Sequence, residues 1–306
     1  MTWIVLALIA HVVNALVFII DKGILNSDSP ISQPLRLTLY TGLLSGAAVL
    51  LLPFQYAPPT SFVLLWSTVS GACFLAALWW FFSALKAGEP SRVVPIIGSA
   101  VPVFTLLFAW VALGERLQGL ELVAVLFLII GGALLSIRVS GTKGLSIRII
   151  IYILLGGAAF AAHFSASKYL YSGFEPFLAA FVYSRIAVAV LSVLVLLPLL
   201  RAVSPNTSKK SRRKKKKIQW SLGGAFLASK VLGTGAFLLQ NYAINMGSVT
   251  VVNALQGTQY AFVLVLAAVI SLKYPRILKE ELRRVALIQK ITGILIVSTG
   301  LILLLL

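Results

Sequence analysis

Charge is what this sequence has least of: Asp, Glu, Lys and Arg make up 11% of its 306 residues, where a soluble domain carries roughly 25%. A water-soluble globular domain of this length is excluded. Acid is scarcer still. The eight acidic residues are Asp21, Asp28, Glu89, Glu115, Glu121, Glu175, Glu280 and Glu281. Each falls at the end of an apolar run or in a loop, so no buried carboxylate able to cycle protons is expected. A single cysteine, Cys73, rules out an intrachain disulfide. The two histidines have no Cys or acidic residue at ligand spacing, so no metal site is expected. Walker-type phosphate loops are absent as well, which excludes an ATP motor. No cofactor is expected, and a membrane-embedded enzyme lacks the acidic or histidine cluster its chemistry needs.

What the chain has in excess is hydrocarbon: 59% hydrophobic residues and a mean hydropathy of +1.00. The apolar residues come in runs of roughly 20, long enough to cross a ~30 Å hydrocarbon core at 1.5 Å per residue. Ten spans are predicted, at approximately 2–20, 34–52, 61–84, 91–113, 119–137, 147–170, 176–200, 218–243, 249–272 and 286–306. Backbone amides in hydrocarbon must be bonded within their own segment, so these are helices. The alternation expected of barrel strands is missing. The first run, Trp3 to Ile20, carries His11 and Asn14 and is followed at once by Asp21 and Lys22. It reads as a retained span rather than a secretory signal.

The formal net charge is +18, and nine of the 26 basic residues lie between Arg201 and Lys217. That tract reads as a cytoplasmic loop facing anionic lipid headgroups. No base-reading module accompanies it, so nucleic acid is not expected as a partner. The other basic residues sort by parity. Lys22, Lys86, Arg138, Lys143 and the stretch from Lys273 to Arg284 all follow odd-numbered spans, as the polybasic tract does. The positive-inside rule then places the odd loops in the cytoplasm and both termini outside.

The chain also resembles itself. Ala84-Leu85-Lys86-Ala87-Gly88 lines up with Ala243-Ile244-Asn245-Met246-Gly247, and the same offset pairs Val93 with Val252 and Gly98 with Gly257. Gly131 answers Gly300, Lys22 answers Lys168, and Arg36 answers Arg185. Residues 1–138 and 147–306, joined by a short linker at 139–146, then form two halves of five helices each. An odd number inserts the second half upside down, which gives inverted repeats with a site near the midplane where they meet.

The run from Ala84-Leu85-Lys86-Ala87-Gly88 through Val93-Val94-Pro95-Ile96 and Pro102-Val103-Phe104 to Leu113-Gly114-Glu115-Arg116-Leu117 and Gly131-Gly132 resembles the signature of the drug/metabolite transporter superfamily, in particular its EamA-type members. The second half repeats it less cleanly, with Lys279-Glu280-Glu281-Leu282, Gly293 and Gly300. The resemblance implies an all-α integral membrane protein of ten transmembrane helices in two inverted five-helix repeats. It also implies alternating-access transport of a small metabolite, often export of amino acids or related compounds, across the cell (plasma or inner) membrane. Family members are usually described with cytoplasmic termini, against the parity of the basic loops here. A longer charged loop after span nine is a further departure, and so is the lack of a proline answering Pro102.

Ionisable residues inside a span are candidates for function, because hydrocarbon penalises them. Lys230, near the centre of span eight, suits a substrate carboxylate or phosphate, and its structural alternatives are pairing with helix-end carbonyls or a neutral lysine in a packed core. Thr234 and Asn241 share its face. His11 with Asn14, and His163 with Ser167, suit proton relay or ligand contact, or interhelical hydrogen bonding. Asn253, Gln256 and Tyr260, with Gln259 alongside, form a polar stripe on span nine that must face protein or a cavity. Trp80, in the run Trp79 to Phe82, is a candidate stacking wall. Pro95, Gly98 and Pro102 on span four are candidates for a hinge. The leading expectation is a secondary transporter, working as an exporter, for a small metabolite such as an amino acid or other carboxylate. The alternative is a non-transporting membrane scaffold whose polybasic loop binds anionic lipid.

Overall fold

The computed structural model describes residues 2–113, 119–137, 145–203, 216–247, 252, 255–275 and 277–303. Ten helical spans run through them: α1 (Thr2–Leu25), α2 (Pro34–Ser45, continued by a 3-10 segment Gly46–Phe54), α3 (Ser61–Ala87), α4 (Pro90–Leu113), α5 (Gly119–Ser136), α6 (Ile147–Gly173), α7 (Phe177–Leu191), α8 (Lys216–Met246), α9 (Gln256–Lys273) and α10 (Arg284–Leu303). A π turn at Ser192–Leu196 and a last helical stretch Leu197–Val203 prolong α7. Pro198 offers no amide to Leu194 and its ring crowds that carbonyl, which accounts for the wider turn just before it. Eight of the ten are long and apolar enough to span a bilayer, and α5 adds a shorter apolar stretch, Leu122–Ser136.

Each helix sorts its residues by what surrounds it. On α3 the inward face is Val63, Ser67, Ser70, Gly71, Phe74 and Leu78, all buried, while Leu64 and Leu65 lie outward and exposed. Serine and glycine appear only on the inward face among these residues, as expected where lipid is the solvent and helices associate by close packing.

Packing pairs come in couples related by the repeat. Helix α3 packs along α6, and α1 along α8; α4 packs on α6, and α1 on α9. The fifth helices, α5 and α10, pack on each other. There a Cβ on Gly131 would stand 2.7 Å from the Val297 side chain, and a Cβ on Gly300 would stand 3.1 Å from Leu128. Leu128 and Val297 are themselves counterparts at the Gly131–Gly300 offset, so each glycine receives the other repeat's equivalent side chain.

The lysines repeat the lesson at the two ends of the bundle. Lys22 donates to the carbonyls of Leu85 (2.7 Å), Lys86 (3.1 Å) and Gly88 (2.8 Å), at the C-terminus of α3. Lys168 donates to those of Ile244 (3.0 Å) and Gly247 (3.1 Å), at the C-terminus of α8. A cation on orphaned helix-end carbonyls is a favourable cap. One cap lies at each end, as inverted repeats require.

The end carrying Lys22 has a second fastening. Lys290 of α10, wholly buried, reaches Glu89 (2.7 Å) and Glu280 (2.9 Å), and Arg92 of α4 lies 3.3 Å from Glu89. Ser91 donates to Glu280 as well. Arg92 also donates to Leu135 O (3.0 Å), and Gln289 to Ile137 O (3.1 Å), at the C-terminus of α5. The network clasps α4 and α5 of the first repeat to α10 of the second. Its counterparts by offset are Ser248, Val251 and Glu121 for Glu89, Arg92 and Lys290, so the repeat does not reproduce it.

Candidate functional site

A cavity of about 160 Å³ lies between the two halves, lined from every helix except α5 and α10. Phenylalanine is the commonest residue of its wall: Phe74, Phe81 and Phe82 from α3, Phe160 and Phe164 from α6, and Phe181 and Phe237 from α7 and α8 are among them. The polar part comes from Asn14 and Asp21 on α1, Thr41 and Ser45 on α2, Arg185 on α7, Ser229, Lys230, Thr234 and Gln240 on α8, and Gln256, Gln259 and Tyr260 on α9.

The first correction concerns acid. Asp21 is 2% exposed and inside the bundle, not at a span end. Helix α1 does not stop at Ile20 but runs to Leu25, carrying Asp21 and Lys22 inward. Asp21 then takes the cation that the sequence had offered to a substrate. Both its oxygens lie 3.0 Å from Lys230 Nζ, and Ser229 Oγ donates to Oδ1 at 2.6 Å. Lys230 lines the cavity as expected, but its charge is balanced within the protein. Neither partner alone is tolerable there, because a buried charge left without its counter-ion is costly. Lys230→Met is expected to destabilise the protein by about 3 kcal/mol, at the low end because Ser229 still serves Asp21. Adding Asp21→Asn should recover most of that loss, and thermal melting of the purified single and double variants checks it.

The cation without a carboxylate is Arg185. It is 3% exposed. Its carbon centre lies 4.6 Å from the ring centroids of both Phe74 and Phe237 and 5.6 Å from that of Phe181. Among the described residues it has no salt bridge, Nη2 has no hydrogen-bond partner, and Nε reaches only Ser184 Oγ at 3.3 Å. Rings covering the faces of a guanidinium leave its edge, where the N–H donors lie, for a planar anion.

Of the other expected residues, Asn14, Thr234, Gln256, Tyr260 and Gly98 line the cavity. Tyr260 donates to Gln256 Oε1 at 3.1 Å, and a Cβ on Gly98 would collide with the Tyr260 hydroxyl, so the glycine gives that ring its place. His11 and His163 stand outside the lining and serve as interhelical contacts. His11 bonds to Val252 O (2.8 Å) and Gln259 Oε1 (3.2 Å), and His163 Nδ1 bonds to Ser70 Oγ (2.9 Å). Trp80 stacks on Trp79 at 4.9 Å and faces Tyr152, and the next two residues of that run, Phe81 and Phe82, reach the cavity instead. Helix α4 is continuous through Pro95 and Pro102, and neither proline lines the cavity. Asn253, Glu115, Arg116 and residues 204–215 of the polybasic tract lie outside the described residues.

Two members of the site escaped the sequence reading. Asp21 reads in sequence as a carboxylate at a helix end, because the span boundary falls five residues short of Leu25. Arg185 had been matched to Arg36 as a repeat feature, although it lies nine residues into α7, whereas Arg36 lies at the start of α2 and bonds to Pro30 O. An arginine inside an apolar run was signal enough.

The sequence matches the EamA-like transporter family over residues 1–137 and again over 147–306. The chain belongs to the EamA-like transporter family. As such it is a multi-pass membrane transporter of the drug/metabolite transporter superfamily, and two matches over one chain agree with the repeated architecture above. A similar fold is found in a crystal structure of a protein 17% identical to this EamA-like transporter, covering 98% of this chain and 96% of that one with a TM-score of 0.59. At that identity the likeness concerns the fold. No curated protein matches the sequence.

Proposed function

We propose that this transporter carries a small metabolite bearing a carboxylate, an amino acid or other carboxylate, by alternating access and without an ATP motor. The observation that carries the reading is Arg185: a buried guanidinium in the cavity wall whose edge has no carboxylate partner among the described residues. Such a charge is costly to bury empty, so the site favours an anion that supplies the missing partner. The paired lysine caps support the transport cycle. Inverted repeats reach their two access states by exchanging conformations, and Lys22 and Lys168 give the two ends equivalent fastenings. Export is the direction that the family resemblance implies.

Purified protein in vesicles of defined orientation tests the proposal. Saturable movement of a carboxylate, absent from protein-free vesicles and in one preferred direction, is the expected result. Failure to move any member of a panel of amino acids and organic acids, with folded protein present, overturns it.

A further inference from the structure

We infer that the transported molecule is a compact apolar monoanion, a ring-sized or branched carboxylate carrying no ammonium group. The inference rests on the proposed carboxylate transport and narrows it. Three charged side chains line the cavity: Asp21, Lys230 and Arg185. The first two neutralise each other at 3.0 Å, so one positive charge remains and a single anionic group completes the balance.

A zwitterion or an amine needs a second site, for its ammonium, and the one carboxylate in the cavity wall is taken. Asp21 holds Lys230 with both oxygens and Ser229 with one. The other polar groups of the wall, Asn14, Thr41, Ser45, Thr234 and the glutamines among them, are neutral and do not balance an ammonium's charge. An ammonium that displaced Lys230 from Asp21 would leave the lysine buried and without a counter-ion. An ammonium group is therefore an obstacle to binding at this site.

Size and surface complete the class. A cavity of about 160 Å³ is close to the roughly 150 Å³ apolar cavity that holds one benzene ring. Eight phenylalanines line it, and three of them crowd the guanidinium: Phe74, Phe181 and Phe237. A polyanion such as citrate or a sugar phosphate would bring more negative charge than the one unbalanced cation of the wall can meet. A ring or branched chain of about six carbons, with its carboxylate on the edge of Arg185, fits both.

Three probes that share one ring and differ in charge decide the matter on the unmodified protein: phenylacetate, L-phenylalanine and phenethylamine. Equilibrium binding to the purified transporter and uptake into vesicles are measured for each. Phenylacetate is expected to bind and cross at least tenfold more effectively than either of the others, and Arg185→Gln to remove that preference. Phenylalanine equal to or better than phenylacetate overturns the inference while leaving carboxylate transport standing. Phenethylamine preferred, or neither carboxylate bound, removes the inference and the carboxylate reading together. Because the comparison is made on the native chain, it holds whether or not the Arg185 variant folds.

Discussion

Arg185→Gln is expected to lower carboxylate flux by roughly 30- to 100-fold while leaving the melting temperature of the protein nearly unchanged. The loss of flux follows from a charge-assisted, two-pronged contact worth about 2–3 kcal/mol, where each 1.4 kcal/mol is a factor of ten. The stability follows from a near-cancellation. The guanidinium pays for burial without an ion pair among the described residues, and its rings return up to about 2 kcal/mol of cation–π attraction. Removing both terms should shift stability by no more than about 1 kcal/mol. Lys230→Met, on the neighbouring α8, behaves in the opposite way, because its ammonium is half of an internal pair with Asp21. Arg185→Lys keeps the charge but not the fork, and falls between Arg185→Gln and the native protein in flux. Transport in vesicles and melting in detergent, taken on the same preparations, separate the cases. A collapse in melting for Arg185→Gln, with flux per folded molecule unchanged, would make the arginine a structural residue and remove it from the site.

The two cations show how far the sequence could be read. Lys230 is conspicuous because it stands at the centre of an apolar run, and the structure does place it at the cavity. Its partner was invisible for a physical reason: hydropathy ends a span at the first charges, and Asp21-Lys22 are charges that the bundle accommodates by pairing one and capping helix carbonyls with the other. Polar residues near a span end are ambiguous in sequence, since the same pair can snorkel outward or turn in. Helix count and repeat were legible because both rest on patterns longer than any boundary error. The offset that aligns Ala84 with Ala243 matches Leu85 with Ile244 and Gly88 with Gly247, whose carbonyls accept from Lys22 and Lys168 respectively. Aromatic residues were less legible. In the run Trp79 to Phe82, rotation about the helix axis decides which rings face the cavity, and only tertiary packing shows that Phe81 and Phe82 do.

The inter-repeat clasp carries the second large expectation. Lys290→Met leaves two carboxylates, Glu89 and Glu280, without the ammonium that lies 2.7 and 2.9 Å from them. Breaking a buried pair from one side costs about 3–5 kcal/mol, and the upper end applies here, because Lys290 and the Glu280 side chain are both fully buried. The loss should depend on pH with a definite sign. Burial already pushes the Glu280 carboxyl above the ordinary carboxylate range, and Lys290 is the largest of the influences pulling it back. A carboxyl that holds its proton more tightly folded than unfolded subtracts stability as pH rises from its unfolded value through its folded one. Without Lys290 that window extends further upward. The variant should therefore be weakest at neutral pH and regain stability as the pH is lowered and Glu280 takes up its proton. Glu280→Gln in the Lys290→Met background should regain it at neutral pH, because Ser91 can still bond to the amide and no buried negative charge remains at that position. Melting curves of the native, single and double variants at pH 5.5 and 7.5 test this. Equal losses at both values would show that Glu89, which is part-exposed, rather than Glu280 is the carboxylate that Lys290 serves. Ser248 and Val251, the counterparts of Glu89 and Arg92, carry no charge, and among the described residues the ion network joins the repeats at the Lys22 end. Because the clasp joins the two repeats at that end, loosening it should shift the balance between the two access states as well as the stability.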